Sequence, residues 1–463
     1  MTQLANPKVQ NDGHRANFSR FERETVHQAV PWLDGLRRQG MDRFNAVGFP
    51  GRRDERWRFT SVDGLAKTHF DLAPLVHDEA VAETARTYSF GRDAAVELVF
   101  VNGHFAPQLS QLRALPRGVR VQSLADALVQ NPQEVEAHLA RSADLKANPF
   151  VALNTGFIGD GAYVRIPRGV VVDGAIHLLL ISAPGSTPTV SHPRVLVVAE
   201  ENAQATLVES YVATGGATGP YFTNAVTEVV VGVGAQIDHC KLQQEGKGAY
   251  HIATMQVLLA AGARFVTQSA TMGALLTRND LNIVLAGEHA DATLNGLVLL
   301  DGNRHCDNHT LLDHAAANCP SHELYKHVLA GRSTGVFKGQ ILVRKDSQKT
   351  DSKQTSKTLL LSDDAVMNSM PALEIYADDV KCTHGSTTGP MDEEQLFYLR
   401  SRGIGAESAR HLMTYAFAAD ITRRIRVAPV RARIENHMAA QHGLPLDLRI
   451  TDLGAHDEAV VNI

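Results

Sequence analysis

Cys382 and His384 form the pair in this chain whose residue types and spacing best suit chemistry. A soft thiolate and an imidazole suit iron, copper or zinc, or thiol exchange, without saying which. They stand in Cys382-Thr383-His384-Gly385, after a β-rich run from Leu373 to Val380 and before a helix-start signal from Pro390 to Glu394. On a strand, residues two apart face the same side, so both groups are expected to share a face. Lys381 beside the thiol is expected to lower its pKa, and a glycine-containing loop is expected after His384. A lone cysteine is ordinarily a buried apolar filler. The charged residues ahead of this one, Asp378, Asp379 and Lys381, weigh against that reading.

The other motifs carry less. His305, Cys306, His309, His314, Cys319, His322 and His327 crowd one stretch, but their spacings fit no zinc-finger pattern. His322 to His327 is one residue too long for H-E-x-x-H. Hydrogen-bonding ladders across stacked coils are the better expectation for these side chains. Gly331-Arg332-Ser333-Thr334-Gly335 matches G-x-S-x-G, yet a β-like run follows it where a nucleophile elbow needs a helix. No phosphate-binding P-loop exists, and the glycines near 232 and 234 open no helix, so the dinucleotide fingerprint fails too.

Composition narrows the class. The formal net charge of −5 gives no bulk electrostatic case for nucleic acid or an anionic membrane. No apolar run approaches the roughly 20 residues that span a bilayer. The first residues, MTQLANPKVQNDGHR, hold no apolar signal core, so secretion is not expected. Cysteines at 240, 306, 319 and 382 are too few and scattered for a disulfide framework, which fits a reducing cytoplasm.

Three zones must position the pair: 1–149, mixed and partly helical; 150–389, β-rich; 390–463, helical with a frayed tail after Gly443. In the first, charge-rich 17–44 and 124–140 have helical spacing, and Val96–Val101 reads as a strand closed by an Asn102-Gly103 hairpin turn. In the second, short β runs recur at 195–198, 205–210, 226–233, 257–260, 281–285, 294–299, 341–343 and 359–361. A weak echo, turn residues and then alanine, appears at Ala203, Ala235, Ala263, Ala290 and Ala365, with steps of 32, 28, 27 and 75 residues. The long step holds a degenerate copy at 329–334. Such a period without helices predicts a β-solenoid, with an irregular β-sandwich as the alternative. In the third zone, Asp392 is placed to cap a helix, Gly403 to end it, and Ala409, Leu412, Met413, Ala416, Phe417 and Ile421 to form the stripe of a second helix. Pro429 opens a third.

Longer stretches carry a resemblance. FKGQILVRKDSQKTDSKQ, LLLSDDAVMNSMPALEIYADDVKCTHGSTTG and DEEQLFYLRSRGI resemble the SufB/SufD family, scaffold subunits of the SUF iron–sulfur cluster assembly machinery. Asp307 to Lys326 is similar to the family's preceding segment, and Arg53-Asp54-Glu55-Arg56-Trp57-Arg58-Phe59-Thr60 to its short tryptophan motif. The likeness is dense from about 300 to 420 and thin before 150. The B branch would carry further cysteines between Ser352 and Pro371; this chain has none, which favours the D branch.

The resemblance implies a mainly β protein: a right-handed parallel β-helix with an N-terminal mixed α/β domain and a C-terminal helical domain. It implies a non-catalytic scaffold. Leu373, Ile375 and Tyr376 would pair with a SufB-like β-helix, and Leu396, Phe397, Leu399, Arg400 and Arg402 would dock a SufC-like ATPase. No resident cofactor is implied; iron or a nascent cluster would pass His384, with Cys382 the second contact unless a kink at Thr383 turns it inward. The competing function is a β-helix enzyme acting on polysaccharide. Its clustered carboxylates are missing, because adjacent Asp378 and Asp379 would lie on opposite faces of a strand. A free-standing iron carrier would need a ligand set that scattered histidines do not supply.

Overall fold

The computed structural model describes residues 12–25, 30–217 and 219–442; the expected tail after Gly443 lies outside them. The chain divides into two compact units, Met1–Pro390 and Met391–Ile463. The core of the first is a β-solenoid of two facing parallel sheets. One sheet stacks eight strands from Val171–Ser182 to Lys381–Pro390; the other runs from Gly161–Ile166 to a last rung split into Val366–Ser369 and Ala372–Ile375. The chain alternates between the two sheets, and successive rungs of each sheet pair in parallel, so every coil lays one rung on each sheet.

The alanine echo is one corner of this coil. The ladder pairs Gln204 with Gln236, Gln236 with Arg264, and Arg264 with Asp291, which repeats the steps of 32, 28 and 27. At each such corner the backbone turns through one left-handed residue: Asn202, Gly234, Gly262, His289, Asn318 and Lys349, with φ from 57° to 65°. Its N–H donates to the next coil, as Gly234 does to Ala261 O at 2.9 Å and Asn318 to Gln348 O at 2.9 Å. The residue that follows is Ala203, Ala235, Ala263, Ala290, Cys319 or Thr350, each at most 1% exposed. Coils stacked about 4.8 Å apart leave room there for small side chains only. Cys319 therefore stands in an alanine's place. Ala365 does not continue the series: Val366 pairs with Thr334, so Ala365 and the 329–334 copy belong to the opposite corner.

Several strands are longer or more polar than the apolar runs suggest. Asp351–Leu360 and Lys381–Pro390 are each continuous ten-residue strands. The glycine-containing loop expected after His384 is thus part of a strand. A parallel ladder is made by backbone groups, so polar side chains do not interrupt it.

The N-terminal region covers the first coils. Ala94–Val101 adds in parallel to Val171–Ser182, pairing Leu98 with Leu178, and turns back at Asn102 and Gly103 so that Val101 faces His104. Helices form at Asp12–Glu24, Pro31–Val47, Leu124–Gln130 and Pro132–Glu136. An aromatic cluster of Phe44, Trp57, Phe70 and Phe150 packs on Phe222, Ile252 and Leu276 of the solenoid. Trp57 in the tryptophan motif lies 3.9 Å from the Arg278 guanidinium, which also reaches Asp280 at 2.9 Å and Asp307 at 2.6 Å. Burial alone would raise the Asp307 carboxyl, but Arg278 and His309 outweigh it and hold the group well below the usual carboxylate range.

The second unit holds three helices, Glu393–Ser401, Ala406–Thr422 and Ala428–His442. Asp392 caps the first by accepting from Glu394 N at 2.8 Å and Gln395 N at 3.1 Å. Gly403, at φ 86°, ends it. On the second helix the buried stripe is Ala409, Thr414, Ala418, Ile421 and Thr422, whereas Ala416 is exposed and Phe417 half-buried. Ala409 and Ile421 of the expected stripe are thus buried and Leu412 and Met413 half-buried, while the buried face extends to Thr414, Ala418 and Ala419 in place of Ala416 and Phe417. No helix among the described residues is long and apolar enough to cross a membrane.

Candidate functional site

Cys382 and His384 lie on Lys381–Pro390, the last rung of its sheet. That strand pairs only with Asp351–Leu360 among the described residues, so its other edge is open. The pairing runs unbroken from Lys381 to Pro390, so no kink at Thr383 separates the two residues. Both take the phase that faces the space between the sheets, the lumen. Ser386, in the same phase, donates across it to Ser369 Oγ at 2.8 Å. Cys382 is half-buried against the solenoid core and His384 is exposed at the open end.

The thiol differs from expectation in its acidity. Burial pushes the Cys382 thiol up, the Asp351 carboxylate adds to this, and a backbone bond from Ser352 only partly offsets it. Lys381 is exposed and does not lower it. Cys240 and Cys306 are buried and pushed up to about 12, which makes them inert thiols.

The other final rung, Ala372–Ile375, is likewise open on one side and pairs Leu373 with Ile341 and Ile375 with Val343. Leu373 is half-buried against the core, while Ile375 is 39% and Tyr376 64% exposed. Among the described residues the two rungs together end the solenoid in a pair of unpaired parallel edges with apolar side chains beside them. Asp378 and Asp379 lie in the corner between the rungs, not on a strand; the Asp379 carboxylate pairs with the Lys349 ammonium.

The histidine and cysteine stretch from 305 to 327 is not one site. His305 bonds Thr60 and His309 bonds Asp307 beneath the tryptophan motif. His314 and His327 are buried and held down to about 4 by desolvation, and His322 is exposed. No three His, Cys, Asp or Glu side chains among the described residues are placed to hold a metal ion. Ser333 of the G-x-S-x-G match is buried and leads into the strand Thr334–Val343, so it is no nucleophile elbow.

The residues that the motifs did not reveal are those beneath the pair. On the inner face of the last three rungs, Ser321 stacks under Ser352 and Cys382, and Glu323 under Gln354 and His384. Tyr325 stacks under Ser356 and Ser386, and His327 under Thr358 and Thr388. Here the lumen is polar. Ser321 and Ser352 hydroxyls lie 2.6 Å apart, and Gln354 Nε2 donates to Glu323 Oε2 at 2.8 Å. Among the described residues no cation lies beside Glu323; burial pushes its carboxyl up to about 7, and the bond from Gln354 only partly offsets this. A period-two count along 351–360 would have put Ser352, Gln354 and Ser356 on one face, but polarity alone assigns that face to solvent.

In the second unit, Leu396 is buried, Leu399 half-buried, and Phe397 and Tyr398 are 71% and 57% exposed. Arg400 and Arg402 are exposed, and the Arg402 guanidinium lies 5.1 Å from the Tyr398 ring centre. Phe397 and Tyr398 share a shallow surface with Glu393, Glu394 and Ser401.

The solenoid, apolar between its sheets for most of its length, thus ends in two edge rungs, one of which carries a thiol and an imidazole over a short polar stretch of lumen. Residues 180–417 match the family described as "SUF system FeS cluster assembly, SufBD core domain", and residues 13–178 match the "SufBD protein N-terminal region". The chain is 33% identical to an iron–sulfur cluster assembly SufBD family protein of Synechocystis, over 86% of this chain and 89% of that one. It is 31% identical to the iron–sulfur cluster assembly protein SufD of Escherichia coli, over 84% and 88%, and 24% identical to that of Bacillus subtilis, over 88% and 93%. The chain belongs to the SufB/SufD family of the SUF iron–sulfur cluster assembly system.

Proposed function

We propose that this chain is a non-catalytic, cytoplasmic scaffold of the SufD kind, on which a nascent iron–sulfur cluster is built at a joint with a second β-helix. The observation that carries the reading is the open last rung bearing Cys382 and His384. An unpaired parallel edge presents a row of backbone donors and acceptors, and a partner strand satisfies them. A SufB-like β-helix laid against Lys381–Pro390 and Ala372–Ile375 would cover Ile375 and Tyr376. It would also bring its own ligands to an incomplete pair. Iron or the cluster is cargo here, met by a neutral imidazole at His384 and, after deprotonation, by Cys382.

The exposed Phe397 and Tyr398, with Leu399, Arg400 and Arg402 close by, form the surface we assign to a SufC-like ATPase. An ATPase partner would supply the nucleotide hydrolysis for which this chain has no P-loop. The test is purification of the chain from its own cells together with its neighbours. An ATPase and a second β-helix subunit are expected in one complex, and a monomer with sugar-cleaving activity overturns the reading. His384→Ala is expected to leave that complex intact and to lower cluster assembly. Normal growth of the variant under iron limitation, with no other assembly pathway present, removes His384 from the site.

A further inference from the structure

Gln354 is 1% exposed and sits one rung beneath His384, in the same lumen-facing column. Its amide orientation is set from below. Nε2 donates to Glu323 Oε2 at 2.8 Å, so the side-chain carbonyl Oε1 points elsewhere. That oxygen is buried and has no hydrogen-bond partner among the described residues. A buried carbonyl left unpaired costs about 1–3 kcal/mol, so this oxygen calls for a partner.

Room for this side chain is made by the opposite sheet. A Cβ on Gly339 would collide with Gln354 Nε2, so a larger residue at 339 would displace the amide. The φ of Gly339 is not left-handed, so backbone conformation does not call for glycine there. The Gln354 amide fills the space that the missing Cβ leaves. Neighbouring rungs of one column lie about 4.8 Å apart, and in this column His384 stands directly above Gln354.

We infer that Gln354 is a positioning residue for His384: its carbonyl accepts one ring N–H and leaves the other ring nitrogen unprotonated at the open end. The inference rests on the reading of His384 as the group that meets the cluster. An imidazole that binds a metal through one nitrogen is generally held by a hydrogen bond from the other, which sets tautomer and ring direction. Gln354 supplies that acceptor, and Glu323 aims it. Both residues act through His384 and touch no cargo themselves.

The experiment is ¹⁵N NMR of the full-length chain labelled at histidine, with His384 assigned by its loss in His384→Ala. In the native chain the ring is expected in one tautomer. In Gln354→Met, which keeps length and removes the carbonyl, mixed tautomers are expected, with cluster loading lowered roughly tenfold or more. The paired exchange Glu323→Gln with Gln354→Glu restores an aimed acceptor and is expected to restore the single tautomer. Gly339→Ala, which displaces the amide without altering either polar residue, is expected to behave as Gln354→Met does and serves if that variant folds poorly. A His384 spectrum unchanged in both Gln354→Met and Gly339→Ala overturns the inference, whatever the loading assay reads. Normal cluster assembly by His384→Ala overturns the functional reading instead, and the tautomer measurement, which needs no cluster, tells the two failures apart.

Discussion

Glu323 is a carboxyl in the lumen with no counter-charge among the described residues, and its protonation leaves a mark on stability. Its ordinary value of 4.5 is raised to about 7 by burial. Below pH 4.5 the group is protonated in the folded and unfolded chains alike and contributes nothing. Between 4.5 and about 7 the folded chain keeps the proton while the unfolded chain loses it. The folded state then binds more protons, so stability falls as pH rises. Above pH 7 the loss is complete. A shift of that size at about 1.4 kcal/mol per pH unit corresponds to roughly 3 kcal/mol. Glu323→Gln removes the titration and keeps an oxygen to accept from Gln354. The variant is therefore expected to gain on the native chain as pH climbs from 5 to 8, by about 2–3 kcal/mol across that range, after a difference of about 1 kcal/mol already present at pH 5. The assay is chemical denaturation at a series of pH values, followed by circular dichroism and tryptophan fluorescence. The infrared band of a protonated carboxyl, absent in the variant, gives the midpoint directly. A difference between the two proteins that does not change with pH refutes the reasoning, and so does a midpoint near 4.5.

Three further outcomes are expected. Ile375→Pro removes an edge donor beside the open rung; size-exclusion chromatography with a SufB-like partner should show the pairing lost, while circular dichroism shows the β signal kept, because a solenoid's coils are stabilised by near neighbours. Truncation after Pro390 removes the second compact unit and should abolish binding of the ATPase while sparing β-helix pairing; retention of the ATPase on the shortened chain would place its dock elsewhere. Trp57→Ala should destabilise the first unit by about 3–5 kcal/mol, since it empties an aromatic position and uncovers the buried Arg278, and the denaturation midpoint measures this.

Much of the molecule was legible in its residues. The corner alanines at 203, 235, 263 and 290 carry the coil length in their spacing, because stacked backbones admit only a small side chain at that point in every turn. The Asn102-Gly103 hairpin and the caps at Asp392 and Gly403 are local, set by the φ and side-chain reach of a few residues. Cys382 and His384 stood out by type and spacing. What only the fold decided is what surrounds them. The polar run from Asp351 to Thr358 reads as a solvent-facing segment, yet stacking turns Ser352, Gln354 and Ser356 into a lumen where each is 1% exposed. The histidines and cysteines between 305 and 327 read as one cluster, yet alternation along two sheets sends them to opposite faces and different coils. Periodicity along a chain reports which residues share a face. Which face is inside depends on the coil above, about thirty residues away, and on whether such a coil exists, so that His384 is open to solvent while Gln354, one rung below, is closed from it.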